Sequence, residues 1–139
     1  MEILIADRYT ENFNLELAVR SALLHDVLED TDTTEAELKT HFGTLVAQSV
    51  MALTKNKTLP KNDQLLDSIA RIKKCPRETW AVKLADRITN MQKPPSSWRP
   101  EKITQYHGEA KLILNELKDG NSYLANRLEK EVEKYARYF

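Results

Sequence analysis

Residues 14–34 read NLELAVRSALLHDVLEDTDTT. Leu15, Val19, Ala22 and Leu23 recur at steps of three and four, with Ala18, Leu24 and Leu28 offset beside them. This spacing predicts a helix from about Asn14 to Leu28 with a broad, largely buried apolar surface. Continuing the line Ala18, Ala22 by three and four residues lands on His25, Asp26 and Glu29, so ionisable groups project from a surface that is otherwise apolar. Carboxylates there lose hydration and are penalised unless they bind a cation or hydrogen-bond one another.

The same periodicity continues outward. Thr34 followed by Glu37 has capping-box spacing and Gly43 sits where a C-terminal turn is wanted, predicting a short helix over 34–42. A second runs from Leu45 to about Thr54. KNKTLPK (55–61) is polar and contains Pro60, which marks a loop; a helix restarts near Asn62 and carries Leu65, Leu66, Ile69 and Ile72. Pro76 opens the next, with Trp80, Leu84, Ile88 and Met91 spaced by four, four and three. PPSSWRP (94–100) is a second loop, and Pro100 begins a helix with Ile103, Tyr106, Ala110, Ile113 and Leu117 that Gly120 ends. Ser122 starts a last amphipathic helix through Leu124, Leu128, Val132 and Tyr135 to Phe139. The expected fold is all-α, an irregular bundle of six or seven helices with no strand and no repeat, forming a single domain over 1–139.

Composition narrows the function classes. Of 139 residues, 41% are apolar and 30% charged, a balance that folds. Twenty-one basic and 21 acidic residues cancel, so no global field draws the chain to nucleic acid or an anionic membrane, and any phosphate recognition must be local. The single cysteine, Cys75, excludes an internal disulfide or a multi-cysteine zinc cluster. MEILIADRYTENF resembles neither a signal peptide nor a membrane span, and a cytoplasmic location is expected.

His25 and Asp26, taken alone, cap or cross-link a helix end. A second apolar helix, however, carries Asp86 in AVKLADRITNM (81–91), with Val82, Asp86 and Asn90 in line at steps of four. Imidazole and carboxylate suit a divalent ion such as Mn²⁺, Fe²⁺ or Zn²⁺ with positions left to water, which permits hydrolysis. His25, Asp26 and Asp86 are the candidate metal ligands. Glu29 and Asp30, one turn on, are candidates for base, acid or hydrogen-bond acceptor.

ALLHDVLEDTDTT, then HFG (41–43), LTKNKTLPK (53–61), VKLADRITNM (82–91), Trp98 and QYHGEAK (105–111) together resemble the (p)ppGpp hydrolases of the HD superfamily: the small alarmone hydrolases and the hydrolase domain of RelA/SpoT-type enzymes. Order, spacing and wording agree from about Ser21 to Leu117. The resemblance implies an HD-type helical fold and a Mn²⁺-dependent guanosine-3′,5′-bis(diphosphate) 3′-pyrophosphohydrolase, other divalent ions being admissible. It makes His25 and Asp26 the HD pair, Asp86 the distant metal ligand, and Glu29 and Asp30 the catalytic pair. Lys61, Asn90, Lys102 and Tyr106 then line the pocket for a guanosine nucleotide substrate; taken alone they read as surface lysines, a helix-end amide and a core-edge ring. Lys102 stands where an Arg is often found, which forfeits bidentate geometry. Trp80 and Trp98 read as packing residues, and His41 and His107 as outside the metal site.

Relatives of this kind carry, ahead of the stretch that MEILIA resembles, two further helices with a basic segment and a first metal histidine. The sequence opens after that point. Three protein ligands are therefore expected, completed by water or by another chain, together with an apolar groove that favours homo-oligomers. An HD phosphohydrolase of another nucleotide, and a non-catalytic nucleotide- or protein-binding module, are the alternatives.

Overall fold

The computed structural model describes residues 2–10, 12–25, 28 and 31–139. Eight α-helices are formed among them: α1 Glu2–Arg8, α2 Leu15–Leu24, α3 Glu35–Phe42, α4 Thr44–Leu53, α5 Lys61–Ile72, α6 Arg77–Asn90, α7 Pro100–Leu117 and α8 Ser122–Tyr135. Short 3₁₀ turns at Lys118–Gly120 and Ala136–Tyr138 follow α7 and α8. The described residues contain no strand.

Helix boundaries fall where local chemistry puts them. Asn14 accepts a hydrogen bond from the Leu17 amide at 3.1 Å, and Thr34 accepts one from Glu37 at 3.2 Å, each satisfying an otherwise orphaned donor. Gly43 ends α3 at φ 91°, a backbone conformation that side chains disfavour. Pro60, Pro76 and Pro100 stand at the starts of α5, α6 and α7, where a missing amide hydrogen matters least.

Helix α6 is the axis of the bundle, packing against α1, α2, α4, α7 and α8. Val82, Leu84, Ala85 and Ile88 on it are buried with Ile113, Leu117, Leu124 and Leu128 from α7 and α8. Helices α3 and α4 lie outside α2 and enclose a smaller core of Leu17, Leu38, Val46, Ala47 and Val50. Arg71 of α5 donates to the carbonyls of Met51 and, at 2.7 Å, Thr54, closing the C-terminal end of α4 and anchoring the loop that leads to Lys61. No helix among the described residues is long and apolar enough to cross a membrane.

Three expectations need correction. EILIADR forms a helix, so the described residues form eight helices where six or seven were expected; seven residues give too few turns for a periodicity to show, and Ile3 and Ala6 are held by packing onto α6. Leu23 is 76% exposed, because α2 is covered by α1, α4 and α6 and leaves that side outward. Gly120 ends a 3₁₀ turn, and its hydrogen is needed for closeness: a Cβ there would lie 2.4 Å from Cβ of Trp80. Both partners are backbone-fixed, so Gly120→Ala is expected to destabilise the fold by about 2 kcal/mol in urea unfolding. A loss under about 0.5 kcal/mol would show that the turn gives way freely.

Candidate active site

Helix α2 delivers His25 from its C-terminal end and α6 delivers Asp86 from its third turn, with side chains 21% and 34% exposed. His25 Nδ1 bonds the Ala22 carbonyl at 2.5 Å. A carbonyl only accepts, so Nδ1 carries the hydrogen; the protonated ring then donates Nε2–H toward Asp86 Oδ1 at 3.5 Å, while the neutral ring turns its Nε2 lone pair there. Two acceptors face each other stably only with a proton or a cation between them. Burial acts to raise the Asp86 pKa, but the hydrogen bond from His25 and the charges of Lys83 and Arg87 outweigh it and hold the carboxyl below its ordinary range. Asp86 is therefore anionic at neutral pH.

Asn90, one turn further along α6, lies with Nδ2 3.4 Å from the same Asp86 oxygen. Its carbonyl is 3.5 Å from the Tyr106 hydroxyl, whose pKa burial pushes up, so this phenol stays protonated. Tyr106 stands on the wall of an open cavity of about 860 Å³ that also takes in Lys61 and Lys102. That size suits a nucleotide. Lys55, Lys61, Arg99 and Lys102 line it against two carboxylates, Glu101 and Glu109, so the local field is positive in a chain of zero net charge. Lys102 Nζ rests 4.6 Å over the Trp98 ring, and Trp98 meets Tyr106 edge-on at 5.3 Å.

Residues 12–128 match the HD-domain family. The chain belongs to that family. Among relatives of this HD domain is the guanosine-3′,5′-bis(diphosphate) 3′-pyrophosphohydrolase MESH1 of Danio rerio, 32% identical over 115 residues that make up 80% of this chain and 64% of the relative. MESH1 of Homo sapiens is 32% identical over 116 residues, 81% of this chain and 65% of the relative. The chain thus spans just under two thirds of the length of these two proteins. A solved metazoan ortholog of SpoT, described as hydrolysing ppGpp, superposes with a TM-score of 0.78 at 29% identity, covering 95% of this chain and 75% of that one.

HD domains of this kind hold a divalent metal, and the described donors of this one fit such an ion. An imidazole whose far nitrogen is spent on a backbone carbonyl, aimed at a carboxylate held anionic, is the arrangement of an oriented ligand pair. Asp26, Glu29 and Asp30 lie outside the described residues. Among those described, no group of three or more His, Cys, Asp or Glu is set to hold a metal. His107 is buried and pairs its Nε2 with the Val132 carbonyl at 3.0 Å, which makes it a packing residue of this domain.

Sequence reasoning brought His25, Asp86, Asn90 and Tyr106 to one place, and Lys61 and Lys102 to the cavity beside it. It missed Lys55, Arg99 and Trp98 in the cavity, and Lys83 and Arg87 on α6. The last two carried a signal: the two cations inside AVKLADRITNM stand among the apolar residues Ala81, Val82, Leu84, Ala85 and Ile88. They are 8% and 7% exposed.

Proposed function

We propose that this HD domain hydrolyses the 3′-pyrophosphate of (p)ppGpp to GDP or GTP and pyrophosphate, with Mn²⁺ held by His25, Asp26 and Asp86. The observation that carries this reading is the continuity from His25 and Asp86, through Asn90 and Tyr106, into a positive cavity of nucleotide size. What the ion supplies when bound is Lewis acidity toward a phosphoryl oxygen and a lowered pKa for water.

The chain's own residues do the rest. Lys61 and Lys102 neutralise, as point charges, the phosphate group that lies away from Asp86, Lys102 being held over Trp98 until a phosphate draws it. Asn90 fixes the Asp86 oxygen that it touches, and Tyr106 offers its hydroxyl and ring edge to the nucleotide. Release of intact pyrophosphate requires that the bond between the 3′ oxygen and its phosphorus breaks while a water oxygen bonds that phosphorus. One proton leaves the water and one reaches the 3′ oxygen, and Glu29 and Asp30 are the groups assigned to carry them. The same reading takes the chain as one domain, working in the cytoplasm, without nucleic acid or membrane partners. Homo-oligomers would form through exposed apolar side chains such as Leu4, Leu23 and Leu45.

The test is ppGpp hydrolysis by protein stripped of metal and resupplied with Mn²⁺, following both pyrophosphate and GDP. Turnover that chelator abolishes and Mn²⁺ restores is the expected result. Turnover of other nucleotides but not ppGpp would leave an HD phosphohydrolase of different specificity. Nucleotide binding without turnover under Mn²⁺, Mg²⁺, Zn²⁺ or Co²⁺ would replace the enzyme with a binding module.

A further inference from the structure

Arg87 is an expensive residue for its place. It is 7% exposed on the central helix, where Val82, Leu84 and Ile88 fill neighbouring buried positions, and its buried Nη1 makes no hydrogen bond among the described residues, only an ion-pair contact with Glu109. A buried donor without a hydrogen bond costs stability that an apolar side chain would not. The guanidinium does two things that such a side chain could not. It lies 4.2 Å from the centroid of the Tyr106 ring, and it stands 3.7 Å from Glu109 Oε2. Tyr106 and Glu109 both line the positive cavity, whereas Arg87 does not.

Tyr106 is held from other sides as well. Trp98 meets it edge-on at 5.3 Å and Tyr135 lies tilted against it at 6.0 Å, while among the described residues its hydroxyl reaches the Asn90 backbone carbonyl, at 3.5 Å. The hydroxyl contact is long and the two aromatic contacts are apolar, so the planar cation is the strongest directional contact on the ring. Glu109 is likewise restrained, by Arg87 and by Gln105 Nε2 at 3.4 Å, so its negative charge does not swing among the lysines that await phosphate.

We propose that Arg87 is a positioning residue for substrate binding: it fixes the Tyr106 ring and the Glu109 carboxylate as one wall between Asp86 and the cavity. The ligand class this serves is a nucleoside carrying two phosphate groups, one toward Lys61 and Lys102 and the other toward Asp86. The proposal rests on the phosphohydrolase reading above, but its structural half does not.

Arg87→Met, which keeps length and burial and removes charge and plane, is expected to raise KM for ppGpp about tenfold. Because His25 and Lys83 act on Asp86 more strongly than Arg87 does and both stay in place, kcat should stay within about threefold. Arg87→Lys, which restores a cation without the plane, recovers part of that loss. In a Tyr106→Ala background the Arg87→Met change has a clearly smaller effect than in the unaltered chain, since only Glu109 is then left for Arg87 to hold. Independently of substrate, NMR of the ligand-free protein should show the Trp98 indole signals, assigned with Trp98→Phe, moving in Arg87→Met as Tyr106 loosens. An unchanged KM, an equal effect with and without Tyr106, or unmoved Trp98 signals would each overturn the proposal. Absence of ppGpp turnover by the unaltered chain would instead sink the proposed function. Pyrophosphate binding by calorimetry and the Trp98 signals, in unaltered protein and in Arg87→Met and Arg87→Lys, then decide Arg87.

Discussion

Asp86→Asn is expected to lower Mn²⁺-dependent pyrophosphate release by about 10³-fold or more, and to leave the purified protein with little bound metal. The substitution changes almost nothing in volume and leaves an oxygen for the Asn90 amide, so the loss would be one of charge. Asp86 is the carboxylate toward which His25 Nε2 points, at 3.5 Å, and without its charge the pull on a cation at that nitrogen is weakened. Acid stability should change as well. The folded-state pKa of Asp86 is depressed, so its contribution is complete above the unfolded carboxylate value and fades as pH falls through the lower folded one. The asparagine variant lacks that part of the acid transition. Pyrophosphate release beside metal content on the same samples checks the first claim; activity above about a tenth of the original would remove Asp86 from the ligand set.

The fold was legible because its punctuation is local. Thr34 with Glu37, Gly43, Pro76 and Pro100 each act within a few residues, and each stands at the boundary expected of it. Helix α1 escaped because seven residues of mixed polarity become helical only against α6, and contact with a distant helix leaves no local pattern. Leu23 was misplaced for the same reason, since apolar spacing reports a face but not which neighbour covers it.

At the site, His25 and Asp86 were found because helical spacing sets each on an otherwise apolar line, and Asn90 and Tyr106 because the family pattern pointed to them. Trp98 was taken for packing, and it does touch Tyr106, yet it also lines the cavity and seats Lys102. Lys83 and Arg87 were passed over because a charge in a sequence is ordinarily a solvated one. Only the surroundings of α6 on nearly every side turn them into buried cations.

That burial carries the second large prediction. Removal from water lowers the Lys83 pKa from 10.5 to about 8, with the charges of Arg87 and Lys55 adding to the effect and those of Asp86 and Glu109 opposing it. The unfolded chain therefore holds this proton more tightly than the folded one. Below about pH 8 the full penalty of a buried ammonium weighs on the fold; between about 8 and 10.5 it is relieved as the folded state releases the proton first. The shift corresponds to roughly 3 kcal/mol. Lys83→Met is accordingly expected to stabilise metal-free protein by roughly 2–3 kcal/mol at pH 7 in urea unfolding, with the advantage shrinking as pH rises toward 10.5. The same variant should hydrolyse ppGpp more slowly, since it removes a cation whose charge is felt by both Asp86 and Glu109, where stability yields to function. A Lys83→Met protein less stable than the original at pH 7 would mean that Asp86 and Glu109 more than offset the burial, making the ammonium part of the scaffold; greater stability with reduced turnover would mark it as a charge kept for the substrate.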